Sequence, residues 1–188
     1  MTSLRSGAVA PSSPSALLPL RSGMLFPGTT LTLPVGRVRS VALLDTLSPG
    51  AVLGVIAQKD ANVSDPAAKD LYEIGTWARV QRLERTRDRG YRITLEGVGR
   101  FKLVELARTE PFLQGVLATV EETDESPAES RLLATAVRTH AQELAAQSGG
   151  TLSGIAAGDD DPGLVADQIA AALGLAPEKE YRVLAALD

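Results

Sequence analysis

The sequence predicts an α+β protein: a β-rich lobe of about six strands with one helix, followed by a three-helix bundle. Three observations predict it. Up to residue 122, short apolar or alternating runs are punctuated by Gly, Pro and Asp, the pattern of strands and turns. Beyond Glu121 the composition turns acidic and then to helix formers, with apolar residues at helical spacing. With 44% hydrophobic residues in 188, the chain can bury a real core, as one domain or two small ones.

Residues 1–15, with Pro11, Ser12, Ser13, Pro14 and Ser15, hold too few large apolar side chains to offset the entropy of ordering, and predict a mobile tail. The β-rich lobe is placed at 16–122. Ala16 to Leu20 reads as the first strand, and Pro19 belongs at an edge or strand end because it cannot donate to a ladder. Thr29 to Leu33 alternates Thr with Leu, the period-2 signature of a half-buried strand. Gly36 and Arg37 open a short helix carrying Val41, Leu44 and Leu47, which Ser48-Pro49-Gly50 ends. The run from Ala51 to Ala57 is the next strand. Lys59 to Asp70 then forms a polar loop holding Ser64-Asp65-Pro66, longer than a plain hairpin needs.

Tyr72 to Arg85 and Tyr91 to Leu103 form the clearest hairpin, joined around Asp88-Arg89-Gly90. In its second arm Tyr91, Ile93 and Leu95 share one face and Arg92, Thr94 and Glu96 the other. Phe112 to Val120 is the last strand. The helical segment, 123–188, opens with a hinge at Thr123 to Pro127. Leu133, Val137, His140 and Leu144, with Ala136 and Ala141 beside them, give the helix from Glu129 to Gln147 an apolar stripe. Asp161 is a candidate N-cap with Pro162 at the first helical position, in a helix ending near Gly174. A third helix runs from Pro177 with Tyr181, Leu184 and Leu187 on one side.

Composition removes several classes of function. Zero cysteines exclude disulfides and thiolate metal sites, and a single histidine excludes His-rich ones. No apolar run approaches the roughly 20 residues needed to cross a bilayer, and no secretory h-region is present, so the expected location is cytoplasmic. The net charge of −4 hides an asymmetry: residues 1–103 carry 14 Lys/Arg and 8 Asp/Glu, residues 104–188 carry 5 and 15.

Catalytic signatures are missing. There is no G-x-x-x-x-G-K-[ST] phosphate cradle, G-x-S-x-G elbow, S-x-x-K or H-E-x-x-H. Gly97-Val98-Gly99 reads as a turn or bulge, because a dinucleotide fingerprint would need glycine at Lys102. His140 lies on an apolar stripe without a nucleophile, so a packed or interfacial histidine is expected. Asp159-Asp160-Asp161 has no EF-hand spacing and reads as acid complementing a helix N-terminus.

Two stretches suggest binding. Residues 79–102 hold Arg79, Arg82, Arg85, Arg87, Arg89, Arg92, Arg100 and Lys102, a stripe suited to phosphates or, preferred here, a solvated face pairing with the acidic helical half. Aromatic residues near it are too sparse for base stacking. Met24, Leu25, Phe26, Leu71, Tyr72 and Trp77 are the candidates for gripping unfolded polypeptide, since exposed apolar surface marks interaction sites; for any single one of them, core is the stronger reading.

The order of motifs resembles the N-terminal substrate-recognition domain of Lon, the ATP-dependent protease. The residues that carry the likeness are Leu18-Pro19-Leu20-Arg21, Phe26-Pro27-Gly28, Val35-Gly36-Arg37 with Ser40, Ala57-Gln58-Lys59-Asp60, Asp65-Pro66, Asp70-Leu71-Tyr72 and Ile74-Gly75-Thr76, then Glu96-Gly97 and Arg100. It continues through Asp161-Pro162, Leu164, Ala166-Asp167, Ile169-Ala170, Glu178-Lys179 and Leu184. Pro34 departs from the family's strand, and Ala145 to Asp159 matches none of it.

The resemblance implies a PUA-like pseudo-barrel lobe plus a helical bundle, without catalytic groups, cofactor or metal of its own. It also implies unfolded or damaged proteins as substrates, and a hexameric parent whose ATPase uses ATP and Mg and whose peptidase uses a Ser-Lys dyad outside this chain. Asp188 falls near where the family enters a long connecting helix, so a piece of a longer protein is expected. The alternative is a standalone PUA-like module that binds RNA or another small target through the Arg-rich hairpin.

Overall fold

The computed structural model describes residues 14–121, 123, 126–147 and 161–187. Six strands, β1 (Ser15–Leu20), β2 (Thr30–Val35), β3 (Val52–Ala57), β4 (Ile74–Arg85), β5 (Tyr91–Arg108) and β6 (Gln114–Val120), form one sheet. Four helices accompany them: α1 (Val38–Leu44), α2 (Pro127–Gln147), α3 (Pro162–Leu173) and α4 (Pro177–Leu184). The sheet order is β2-β5-β4-β3-β1-β6, and a further β5–β6 pairing closes it on itself. The closed sheet, α1 and the C-terminal helices are the α+β architecture that the sequence predicts. The tail's residues 1–13 and the stretch 148–160 lie outside the described residues.

Closure depends on β5, which runs past the expected end at Leu103 to Arg108. The extension is made by pairing: β6 lies antiparallel to it, with Leu103 opposite Leu117 and Leu106 opposite Gly115. The first half of β5 pairs instead with β2, Thr30 opposite Glu96 through Val35 opposite Tyr91. Among the described residues β2 has no other strand neighbour, which is why Pro34, lacking an N–H, is accommodated there. β1 and β3 pair in parallel and are buried on both faces, as their continuous apolar runs require.

Alternate residues of these strands therefore feed different clusters. Leu18, Leu20, Val55, Ile93 and Leu95 pack with Leu43 and Leu44 of α1. Leu17 and Ile56 face the other way, onto Phe101 and Leu117. A third cluster joins the lobe to the helices: Met24, Phe26, Ala57 and Ile74 against Ala170 of α3 and Leu184 of α4.

Gly97 is a point of close backbone approach. The register jumps from Trp77 opposite Gly99 to Ala78 opposite Gly97, so Val98 is the extra residue of a bulge and is exposed. Thr29 and Gly28 exchange backbone hydrogen bonds with Gly97 at 2.9 Å, and a Cβ on Gly97 would stand 2.2 Å from the Phe26 carbonyl oxygen. Only glycine leaves room for that crossing.

Candidate functional site

The helices are tied to the lobe by one buried ion pair. Arg100, on β5, and Asp167, on α3, are 3% and 1% exposed, and Nη2 lies 2.7 Å from Oδ1. Arg100 Nε also donates to the Leu184 carbonyl at 2.8 Å, satisfying an acceptor in the last turn of α4 where a cation is favoured. One side chain thus holds two helices. Around it Tyr72 stacks on Tyr181 with ring centroids 4.0 Å apart. Burial first, and then the Glu178 charge, push the Tyr72 hydroxyl above its usual range.

Helix α3 is built as the sequence predicts. The Asp161 carboxylate accepts from the Gly163 and Leu164 amides at 3.0 and 3.4 Å, Pro162 stands at the first helical position, and Gly174 closes the helix at φ 55°. The spacing of Asp159 and Asp160 lies outside the described residues.

Helix α2 departs from its expectation. It rests on α3 through Ala141 and Ala134, against Val165 and Ile169, because small side chains let the helices approach closely. Leu132, Leu133 and Val137 are 74%, 59% and 48% exposed, so the apolar stripe is largely a surface. His140 is also exposed rather than packed, 3.3 Å from Glu143. The Leu144 side chain lies outside the described residues. Leu133 and Val137 border a groove of about 720 Å³ whose far wall is Val165, Ala166, Val183 and Leu187, with Arg100 and Asp167 in its lining.

The six candidate contact residues are placed mostly in the core. Phe26 and Met24 sit in the seam between lobe and helices, Leu25 packs in the cluster with α1, and Leu71 packs against Phe101; all four are buried. Tyr72 is half-buried in the same seam as Met24 and Phe26. Trp77 is half-buried at the bulge, its ring 5.3 Å from that of Phe101. Met24, Phe26 and Tyr72 are brought together, but as the lobe's docking face for α3 and α4.

A family model described as the ATP-dependent protease La (LON) substrate-binding domain matches residues 15–188. The chain belongs to this family. It is 50% identical over all 188 residues to Lon protease 4 of Sorangium cellulosum, of which it covers 23%, and 33% identical over 177 residues to Lon protease 2 of Myxococcus xanthus, 92% of this chain and 21% of that protein. The chain therefore spans less than a quarter of the length of these curated relatives. Its fold matches a Lon N-terminal domain protein from Xanthomonas campestris at TM-score 0.62 and 23% identity, covering 94% of this chain and 92% of that one. The N-terminal domain of a Mycobacterium avium complex Lon protease matches at TM-score 0.60 and 16% identity, over 94% and 91%.

In this Lon domain four of the eight cations of the Arg-rich hairpin meet acids, while Arg79, Arg87, Arg89 and Arg92 are exposed. Arg100 is buried, Arg82 pairs with Glu84 at 2.6 Å, Arg85 pairs with Asp45 at 2.5 Å, and Lys102 lies 3.7 Å from Glu73. Of these four, only Arg100 meets the helical half; the rest find acids within the lobe, closer in space than the acidic helices. Among the described residues no group of three or more His, Cys, Asp or Glu could hold a metal, and no helix is long and apolar enough to cross a membrane.

Sequence reasoning placed Arg100 in the basic stripe and did not find its partnership with Asp167. A signal existed. Asp167 is the one charge within Pro162–Leu173, between Val165 and Ile169 on the buried side of the helix, and such a charge is almost always paired.

Proposed function

We propose that this chain recognises unfolded or degron-bearing polypeptide and presents it to the ATPase and peptidase modules of a longer, hexameric Lon protein in cytoplasmic protein quality control. ATP and Mg would serve those modules. The observation that carries the reading is the exposed pair Leu133 and Val137 bordering the groove between α2 and the α3–α4 pair, with exposed Leu132 beside them on α2. A shallow apolar surface with a polar rim suits weak, permissive capture of many sequences better than a deep pocket does. The hairpin, by contrast, has Arg82 and Arg85 engaged by Glu84 and Asp45 and Arg100 buried against Asp167, which leaves a nucleic-acid backbone fewer of its cations.

The test uses one client in unfolded and folded forms, with binding followed by cross-linking. The unfolded form is expected to label preferentially, and the double variant Leu133→Ser, Val137→Ser is expected to lose that labelling while changing stability by only about 0.5 kcal/mol, as for exposed sites generally. Equal labelling of the two client forms, or full labelling of the variant, would overturn the reading.

A further inference from the structure

A second cavity, of about 360 Å³, lies in the lobe and away from the helical groove. It exists because β6 leaves β1 early: the two strands pair only at Ser15 and Ala16, so β1 beyond Leu17 has an open edge. The Leu17 amide still reaches the Leu113 carbonyl at 2.9 Å, and by strand alternation Pro19 and Arg21 turn the same way. Pro19 has no N–H to give, so an added strand would lose a bond at the centre of this edge. The opening suits an end or a side chain of a ligand better than an extended segment.

Three arginines line this cavity, Arg21, Arg37 and Arg39, against one acid, Asp65, which the long loop after β3 brings to its wall. Arg39 is already engaged, 3.3 Å from Asp65 and 3.1 Å from Glu110. Arg37 is not. Its Nη1 and Nη2 are shielded from water, and no acceptor among the described residues meets them. Guanidinium donors out of water without acceptors are costly, and burial together with the Arg21 charge pulls Arg37 below the usual arginine range, with Asp65 opposing. Apart from Ser40 and Ser64 the rest of the lining is apolar, including Phe112 and Val38, and Val38 is 84% exposed at the cavity's rim.

We propose that this cavity binds a carboxylate flanked by an apolar side chain on a client polypeptide, with Arg37 as the main acceptor-seeking group. The proposal rests on the polypeptide-recognition reading and names a chemical feature of the client. A planar carboxylate matches the guanidinium fork, and the apolar lining takes the neighbouring side chain. Three arginines against Asp65 and the Glu110 that also holds Arg39 leave one cation unneutralised, which suits a single negative charge; a phosphate would set its second charge against Asp65. Arg37 must swing from its shielded position toward the cavity, a rotamer change of the size interface side chains make on binding. The carboxylate has two possible sources, a chain's C-terminus or an acidic side chain.

Four short acetylated peptides separate these sources: Gly-Gly-Phe with a free C-terminus, its amide, Gly-Glu-Phe amide and Gly-Gln-Phe amide. Binding to the whole chain is read by NMR shifts at the Val38 and Phe112 amides. The acid of at least one matched pair is expected to bind about tenfold or more tightly than its neutral partner, and Arg37→Gln to erase that difference, as the loss of a charge-assisted pair implies. Arg37→Lys should recover part of it, and Arg92→Gln, on the exposed hairpin, should leave it intact. Circular dichroism and thermal melts of Arg37→Gln check folding, and removing an unpaired charge is expected not to lower the melting temperature.

Equal binding of acid and amide in both pairs, or an undiminished preference in Arg37→Gln, would overturn the proposal. Inorganic phosphate displacing the peptides better than acetate would also overturn it, reassigning the cavity to phosphate. These peptides are too short to need the α2 groove. A cavity that ignores them while unfolded client still labels α2 therefore sinks only this inference, and loss of client labelling with peptide binding intact sinks only the broader one.

Discussion

Helices α3 and α4 and helix α2 follow one another in the chain and lie side by side, yet they are held by different physics. The first two are clamped onto the barrel by a desolvated ion pair, a carbonyl cap and an aromatic stack. Among the described residues the third packs on α3 through alanines and leaves Leu132 and Leu133 in water. The difference teaches how one fold can combine a fixed frame with a surface kept available. Burying every apolar side chain of α2 would stabilise the chain and remove the surface that a client would use.

The comparison breaks most completely at Arg100. Arg100→Ala leaves Asp167 buried without its cation and frees the end of α4, an expected loss of about 3–5 kcal/mol in urea unfolding. The double variant Arg100→Met, Asp167→Leu should recover much of that loss. If the double variant is as unstable as the single, the pair is not the clamp described here.

Gly97→Ala tests the frame on the lobe side, at the crossing beneath Phe26. Its Cβ would meet backbone rather than a movable side chain. Overpacking of this kind costs about 1–3 kcal/mol, and thermal unfolding should show it without loss of the β-sheet signal. A smaller change is expected at the start of α3. Asp161→Ala removes the carboxylate that accepts the Gly163 and Leu164 amides, a loss of about 1 kcal/mol, whereas Asp161→Asn should keep most of it.

The finest probe is Glu180, buried on α4 at the seam. Burial raises its carboxyl above the ordinary range, with the Met24 backbone amide opposing. The folded chain then holds this proton more tightly than the unfolded chain. Its contribution to stability is complete below the unfolded value of about 4.3 and is lost as pH rises through the raised folded value. Glu180→Gln should flatten that part of the pH–stability curve and leave the chain more stable near neutrality. Parallel curves for the two proteins would show that Glu180 does not titrate differently on folding.

Much of this molecule was legible in the residues. Period-2 alternation in Thr29 to Leu33 and Tyr91 to Glu96, the continuous apolar run into Ala57, and Asp161-Pro162 ahead of an apolar helix each encode a local structure through sterics and solvent preference that act within a few residues. Motif order carried the family in the same way. Partner choice was not encoded locally. Leu103 to Arg108 became strand only because β6 lies beside it, and Arg100 became a clamp rather than part of a basic track only because α3 sets Asp167 against it. Leu133 and Val137 have the spacing of core residues and remain in water because α2 turns its alanines to α3. A side chain's burial depends on which surfaces meet. Sequence therefore determined the elements and their family, and only tertiary contact decided which apolar and charged residues would be spent on the frame and which left free to bind.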